Sequence, residues 1–146
     1  MRALLDVNIL ISYLLSPQHS AISRVVEAGI LGRYTLLFPK DLLHELATRV
    51  RSKPYLAQRI TPDQVAELAA ILSGVSETIP RLEEEEIPTV TRDPKDDYLL
   101  AYALLGQADY LVTGDGDLLA LAQVQNVKIV TARVFDEILR APPATR

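Results

Sequence analysis

The sequence contains no cysteine and only two histidines in 146 residues. The absence of cysteine excludes disulfide scaffolds, cysteine nucleophiles and thiolate zinc sites, and it favours a reducing, cytoplasmic location. The two histidines, His19 and His44, leave little material for a histidine-rich metal centre. The longest apolar stretch, 98–105, is far shorter than the roughly 20 residues of a membrane-spanning helix. Asp6 interrupts the apolar N-terminus, so we expect neither a signal peptide nor a membrane segment.

The sequence has little excess charge of either sign, with 15 basic and 19 acidic residues and a net charge of −4. A mildly acidic balance is unusual for a protein that binds nucleic acid. Hydrophobic residues make up 49% of the chain, which predicts a folded rather than a disordered protein. The length fits one compact domain. We expect this domain to span residues 1–140 and a short C-terminal tail to span 141–146.

Short apolar segments alternate with amphipathic patterns along the chain. Strands are predicted at 2–6, 35–38, 110–113 and 127–130, with a weaker candidate at 76–79. Helices are predicted at 8–15, 20–30, 41–51, 61–74, 96–107, 118–122 and 132–139, and the run Glu83–Glu86 is typical of a solvated segment. This alternation favours a three-layer α/β/α sandwich with a mostly parallel central sheet. Segment 98–105 is apolar on all sides, which indicates burial or a subunit interface.

Acidic residues stand where the predicted strands end or the helices begin. The candidates are Asp6, Glu45, Asp96, Asp97, Asp115 and Asp117. Most of them also have a simpler interpretation. Asp96, Asp97 and Asp117 could cap helices, Glu45 could pair with Arg49, and Asp6 could be a hydrogen-bonded structural acid. Ligand sites in parallel sheets lie beyond the carboxyl ends of the strands, where Asp6 and Asp115 are expected.

A cluster of carboxylates requires a counter-cation or shifted pKa values. Oxygen ligands without histidine or cysteine select Mg²⁺ or Mn²⁺. Such a centre would support hydrolysis of a phosphodiester bond.

Four strings in the sequence resemble the motifs of the PIN domain family, in its VapC-like toxin branch. Residues 4–12, Leu-Leu-Asp-Val-Asn-Ile-Leu-Ile-Ser, resemble the first motif, and residues 42–46, Leu-Leu-His-Glu-Leu, resemble the second. Residues 93–101 resemble the third. Residues 108–119, Ala-Asp-Tyr-Leu-Val-Thr-Gly-Asp-Gly-Asp-Leu-Leu, resemble the fourth and form the most specific string. The resemblance extends from residue 2 to about residue 138.

The resemblance implies roles for individual residues. Asp6, Glu45, Asp97 and Asp115 would be the catalytic acids and would hold Mg²⁺ or Mn²⁺. Asp97 is favoured at the third position because its distance of 18 residues from Asp115 suits the family, and Asp96 is the alternative ligand or a neighbour that supports it. Asp117 would be an auxiliary metal-binding acid. Asn8 and Thr113 would support the pocket by hydrogen bonding.

The resemblance also implies an activity. We expect a metal-dependent endoribonuclease that cleaves single-stranded RNA, and the absence of a further predicted domain favours the toxin of a type II toxin–antitoxin system. A small antitoxin and a second copy of the chain are the expected protein partners. Candidate RNA contacts are Lys40, Arg49, Arg51, Lys53, Arg92 and Lys95. Assigning six of the 19 acids to one pocket leaves 13 against 15 basic residues, so net acidity does not exclude RNA.

Two other functions stay open at this point. The chain could be a catalytically silent PIN-fold binding module, although such a module would be expected to have lost one of the acids. It could also be a phosphotransfer or phosphatase-type α/β domain with Asp6 as the nucleophile. Those sites favour a second Asp two residues later, where this chain has Asn8.

Overall fold

The computed structural model describes residues 1–15, 20–79, 82–83, 87 and 89–141. Its strands are β1 (Arg2–Leu5), β2 (Thr35–Leu37), β3 (Tyr110–Val112), β4 (Gln123–Val124) and β5 (Val127–Val130), and they form one sheet in the order β2-β1-β3-β5-β4. β1 pairs in parallel with β2 and β3, β3 pairs in parallel with β5, and β4 is antiparallel to β5. The prediction of an α/β fold with a mostly parallel central sheet is confirmed.

The described helices connect and cover these strands. They are α1 (Val7–Leu15), α2 (Ala21–Ile30), α3 (Lys40–Ser52), α4 (Pro54–Arg59), α5 (Pro62–Val75), α6 (Pro94–Leu105), α7 (Gly116–Leu121) and α8 (Ala132–Arg140). None of these helices is long and apolar enough to cross a bilayer.

Apolar composition places β1 at the centre of the fold. Ala3, Leu4 and Leu5 are all completely buried. A continuous apolar run, rather than an alternating one, is what a parallel strand needs when helices cover both faces of its sheet. The apolar strand that precedes Asp6 therefore fixes the position of this acid in the interior of the molecule.

Side-chain caps define where several helices begin. Ser20 and Thr61 accept hydrogen bonds from backbone N–H groups three residues later, at 3.1 Å and 3.2 Å. Gln64 completes a capping box at Thr61, since its side chain accepts a hydrogen bond from the Thr61 N–H group. Both residues stand at the helix starts that the sequence predicts.

The structure differs from the sequence prediction at several elements. α1 begins at Val7, so Asn8 lies inside the first turn instead of preceding the helix. α4 and β4 were not predicted, because α4 buries Leu56 alone and β4 has two residues, so neither presents a periodic pattern. The weak strand candidate at 76–79 contributes one isolated bridge, between Leu37 and Glu77.

The all-apolar helix is buried by its own chain. Leu99, Leu100, Tyr102 and Ala103 of α6 are each at most 4% exposed. Burial within the monomer therefore accounts for this segment, and it gives no support to a subunit interface. His19, Glu84–Glu86 and the tail after residue 141 lie outside the described residues, while Glu83 is exposed.

Candidate active site

Three neighbouring strands direct acidic residues to the same edge of the sheet. Asp6 directly follows β1, Asp115 follows β3 by three residues, and α3 after β2 carries Glu45. The first turn of α6 adds Asp96. These four predicted acids line one cavity of about 110 Å³. The other lining residues are Asn8, Leu42, Arg49, Asp93, Lys95 and Leu99.

Thr113 connects two of the acids through its hydroxyl group. It is completely buried, and its Oγ1 donates a hydrogen bond to Oδ2 of Asp6 at 2.7 Å. The same oxygen accepts a hydrogen bond from the backbone N–H of Asp115 at 3.0 Å. Asp6, itself 8% exposed, also accepts the backbone N–H of Asn8 on Oδ1 at 3.3 Å. Thr113 thus lies where a supporting residue was expected.

Asp96 lies among like charges in the cavity. Its burial, followed by the charge and hydrogen bond of Asp115 and then the charges of Asp93 and Asp6, raises the pKa of Asp96 to about 7. Burial and neighbouring like charges both favour the protonated acid. The cavity therefore concentrates more negative charge than its own side chains neutralise.

Asp97 does not enter this cavity. Its Oδ1 accepts hydrogen bonds from the backbone N–H groups of Val90 and Thr91 at 3.0 Å and 2.7 Å, and the residue lines a different cavity beside Tyr98. Burial acts to raise the pKa of Asp97, but these bonds, with one from the Thr91 side chain, hold that pKa below its ordinary value. The geometry therefore places Asp96, the alternative that the sequence left open at the third position, in the acidic cavity and Asp97 outside it. Adjacent residues on a helix point about 100° apart, and chain spacing could not resolve which one faces inward.

Asp117 also lies outside the acidic cavity. It is exposed and forms an ion pair with Arg92, with an N–O distance of 2.9 Å. Its predicted role as an auxiliary metal-binding acid therefore has no support in the geometry. The pair also engages Arg92, one of the candidate RNA contacts.

Arg49 is an internal counter-ion for the acidic cavity. Its guanidinium donates hydrogen bonds to the carboxylate of Glu45, one helical turn away, and to Oδ1 of Asn8. The predicted Glu45–Arg49 pair is therefore present, and it lies within the cavity. The side chain of Asn8 supports the cavity by positioning this cation.

Asp93 also lines the cavity and was not among the predicted site residues. It caps α6 by accepting the N–H of Lys95 at 2.9 Å, and its charge contributes to the raised pKa of Asp96. Asp93 precedes Asp96 by three residues at the start of α6, and this spacing is the signal that could have identified it.

The cavity presents a hard-oxygen donor set with unbalanced charge. Asp6, Asp96 and Asp115 supply carboxylate oxygens to one cavity, and such donors fit Mg²⁺ or Mn²⁺. A divalent cation would offset the like charges that help to raise the pKa of Asp96. Within the described part of the chain, no three acidic or histidine side chains are arranged to hold an ion as they stand. Asp6, Asp96 and Asp115 are the residues that would hold it, with Glu45 joining them if Arg49 releases its carboxylate.

Comparisons with known proteins identify the family and the fold. The family model described as PIN domain matches residues 2–117. A chain in the crystal structure of VapBC2 from Rickettsia felis, bound to a DNA fragment from its promoter, has a similar fold. The TM-score is 0.59 at 16% sequence identity, over 88% of this chain and 97% of that chain. No curated protein sequence matches this one. Since the family model covers most of the sequence, the chain belongs to the PIN domain family.

Proposed function

We propose that this protein is a metal-dependent endoribonuclease that cleaves phosphodiester bonds of single-stranded RNA. The observation that carries the proposal is the convergence of Asp6, Asp96 and Asp115 on one cavity, with Asp96 held near a pKa of about 7. Perturbed carboxylates in a cleft are typical of functional sites. Membership of the PIN domain family supports a nuclease, and the oxygen donor set supports Mg²⁺ or Mn²⁺ as its ion.

The residues of this chain contribute by position and charge. A divalent cation, when bound, neutralises phosphate charge and lowers the pKa of a water that attacks the phosphorus. Thr113 fixes the orientation of Asp6 and couples it to the turn at Asp115. Asp96 must lose its proton to take part as a ligand. Lys95, at the rim, offers a positive charge to an approaching phosphate.

We further propose that the protein is the toxin of a type II toxin–antitoxin system in the cytoplasm. The support is the similarity of its fold to a chain of VapBC2 and the resemblance of its motifs to the VapC-like branch. An antitoxin that covers the acidic cavity would then control the activity. A homodimer stays a prediction that a measurement of mass in solution would test, since α6 is accounted for within one chain.

The central experiment is cleavage of total cellular RNA by the purified protein, with the new ends mapped. We expect cleavage with Mg²⁺ or Mn²⁺, none with EDTA, and none for Asp6→Asn or Asp115→Asn. Asp117→Asn is the matched control, because this acid lies outside the cavity and should leave cleavage intact. Cleavage by Asp6→Asn at the rate of the unmodified protein would reject the site. RNA binding without any turnover would instead support the silent binding module.

A further inference from the structure

A second cavity, of about 300 Å³, adjoins the acidic one. The two cavities share Asn8, Arg49 and Lys95 as lining residues, so they form one continuous surface. The remaining lining of the second cavity comes from Ile11, Lys53, Tyr55 and Leu56. Its volume is at the lower end of the range for small-molecule sites. We call this second cavity the basic subsite.

The basic subsite has the opposite charge to its neighbour. Arg49, Lys53 and Lys95 line it, and no acidic side chain does. Among the described residues, neither Lys53 nor Lys95 forms an ion pair, whereas Arg49 is already bound to Glu45. Two lysine charges are therefore available to an anion beside the acidic cavity. Phosphate groups of single-stranded nucleic acid are bound by such charges.

Tyr55 gives the basic subsite an exposed aromatic ring. All six tyrosines lie within the described residues, and Tyr55, at 58% exposure, is the exposed one. An aromatic ring left in solvent beside lysine charges is the arrangement on which unpaired bases stack. Nothing in the packing of the monomer requires this ring, because Leu56 makes the buried contact of α4.

The backbone holds Lys53 and Tyr55 in a fixed relation. Lys53 is both the C-cap residue of α3 and the N-cap residue of α4, and Pro54 follows it at the first position of α4. The carbonyl of Lys53 accepts the N–H groups of Leu56 and Ala57 at 3.0 Å and 2.9 Å. A junction fixed by two helices reduces the conformational entropy that a ligand must remove on binding.

We propose that the basic subsite binds the nucleotide adjacent to the scissile phosphate. Its base stacks on Tyr55, and its phosphate contacts Lys53 and Lys95. The proposal rests on the proposed ribonuclease function and adds the residues that position the RNA strand. Stacking tolerates any base, so the subsite would position single-stranded RNA without selecting its sequence.

The test measures binding of a fluorescein-labelled oligouridine of about ten nucleotides. An Asp115→Asn background prevents turnover, so anisotropy reports equilibrium affinity in Mg²⁺. Loss of one stacked base predicts about tenfold weaker binding for Tyr55→Ala and little change for Tyr55→Phe. Lys53→Gln should reduce the slope of log K against log salt by about 0.7, the value for one phosphate contact with a single strand. Lys128→Gln, at an exposed position of β5, is the matched control and should leave that slope unchanged.

A tryptophan reporter separates this inference from the ribonuclease function. The chain has no tryptophan, so Tyr55→Trp would provide the single emitter, and stacked uracil should quench it. Leu31→Trp is the control that should not respond. Leu31 is exposed and precedes the amino-terminal end of β2, whereas the acidic cavity lies at the carboxyl ends of the strands. Quenching of Tyr55→Trp by oligouridine, without any RNA cleavage by the unmodified protein, would support the subsite and reject the nuclease.

Two results would reject the basic subsite. One is RNA cleavage by the unmodified protein together with unchanged oligouridine affinity in Tyr55→Ala and Lys53→Gln. The other is emission from Tyr55→Trp that does not respond to bound oligouridine. Either result would leave the exposed ring to another role, such as contact with a protein.

Discussion

Asp96 and Asp97 are adjacent in the chain, and substitutions of the two should have opposite effects on stability and activity. Oδ1 of Asp97 accepts two backbone N–H groups, from Val90 and Thr91, at 3.0 Å and 2.7 Å. A hydrogen bond to a charged group contributes about 1.5–3 kcal/mol. Val90 is 48% exposed, so water can replace part of each lost hydrogen bond. We therefore take the lower limit of this energy range for each of the two bonds. Asp97→Ala should therefore cost about 3 kcal/mol, which corresponds to a decrease in Tm of about 10 °C.

Asp96→Asn should behave differently in both respects. The raised pKa of Asp96 means that its charged form is unfavourable in the folded state without a cation. Replacing this carboxylate should leave Tm unchanged or higher at pH 8 in EDTA. The same change should reduce RNA cleavage by about 100-fold or more, because a metal contributes several kcal/mol to the transition state.

Thermal unfolding in EDTA and RNA cleavage at about 25 °C, well below Tm, would measure the two effects separately. Asp97→Ala should cleave RNA within about threefold of the unmodified protein, a difference of less than 1 kcal/mol. Asp97→Asn keeps an acceptor oxygen and is the control for the loss of charge alone. Loss of cleavage in Asp97→Ala at unchanged Tm, with full cleavage in Asp96→Asn, would refute the placement of both residues.

Three further predictions concern the same cavity. Thr113→Val should lower stability by about 3 kcal/mol and reduce cleavage, because it removes a donor from Asp6 and an acceptor from the N–H of Asp115, whereas Thr113→Ser should keep both. Mg²⁺ or Mn²⁺ at 100 times Kd should raise the free energy of unfolding by about 2.7 kcal/mol and should raise Tm accordingly. Identical melting curves with the ion and with EDTA would contradict a metal site. In EDTA, the stability that comes from protonated Asp96 is complete below about pH 4 and is lost as pH rises through about 7, so Tm should fall over that range. Asp96→Asn should remove this part of the pH dependence, as a pH series of melts would show.

The sequence predicts the sheet and its acidic edge well because these depend on local pattern. β1 is a continuous apolar run that ends at Asp6, and β3 is another that ends before Thr113. Burial of both strands leaves few choices for where the following polar residues lie. The parallel pairing of Leu5 with Val112 then brings Asp6 and Thr113 together.

What the sequence could not resolve depends on contacts that lie outside the pattern of any one helix or strand. The segment around Val90 folds back to satisfy its N–H groups on Asp97, and this contact turns that carboxylate away from the cavity. Arg92 similarly forms an ion pair with Asp117, which lies 25 residues later in the chain. The acidic motif identifies which residues are available, but the partners that compete for each carboxylate decide which ones line the cavity.

The acids of the cavity also differ in how firmly they are held. Asp6 is fixed by the buried hydroxyl of Thr113, and its own N–H is bonded to the carbonyl of Val112 at 2.9 Å, so its position belongs to the sheet. Glu45 extends from a helix, has a side chain that is 30% exposed, and is neutralised by Arg49. A divalent cation must therefore compete with Arg49 for Glu45, whereas Asp6 forms no ion pair with any of the described residues. A metal ion that displaces Arg49 from Glu45 gains less than one that binds a carboxylate without displacing a cation. The affinity for the ion should therefore depend most on the acids at the strand ends, and the Arg49–Glu45 pair should lower it.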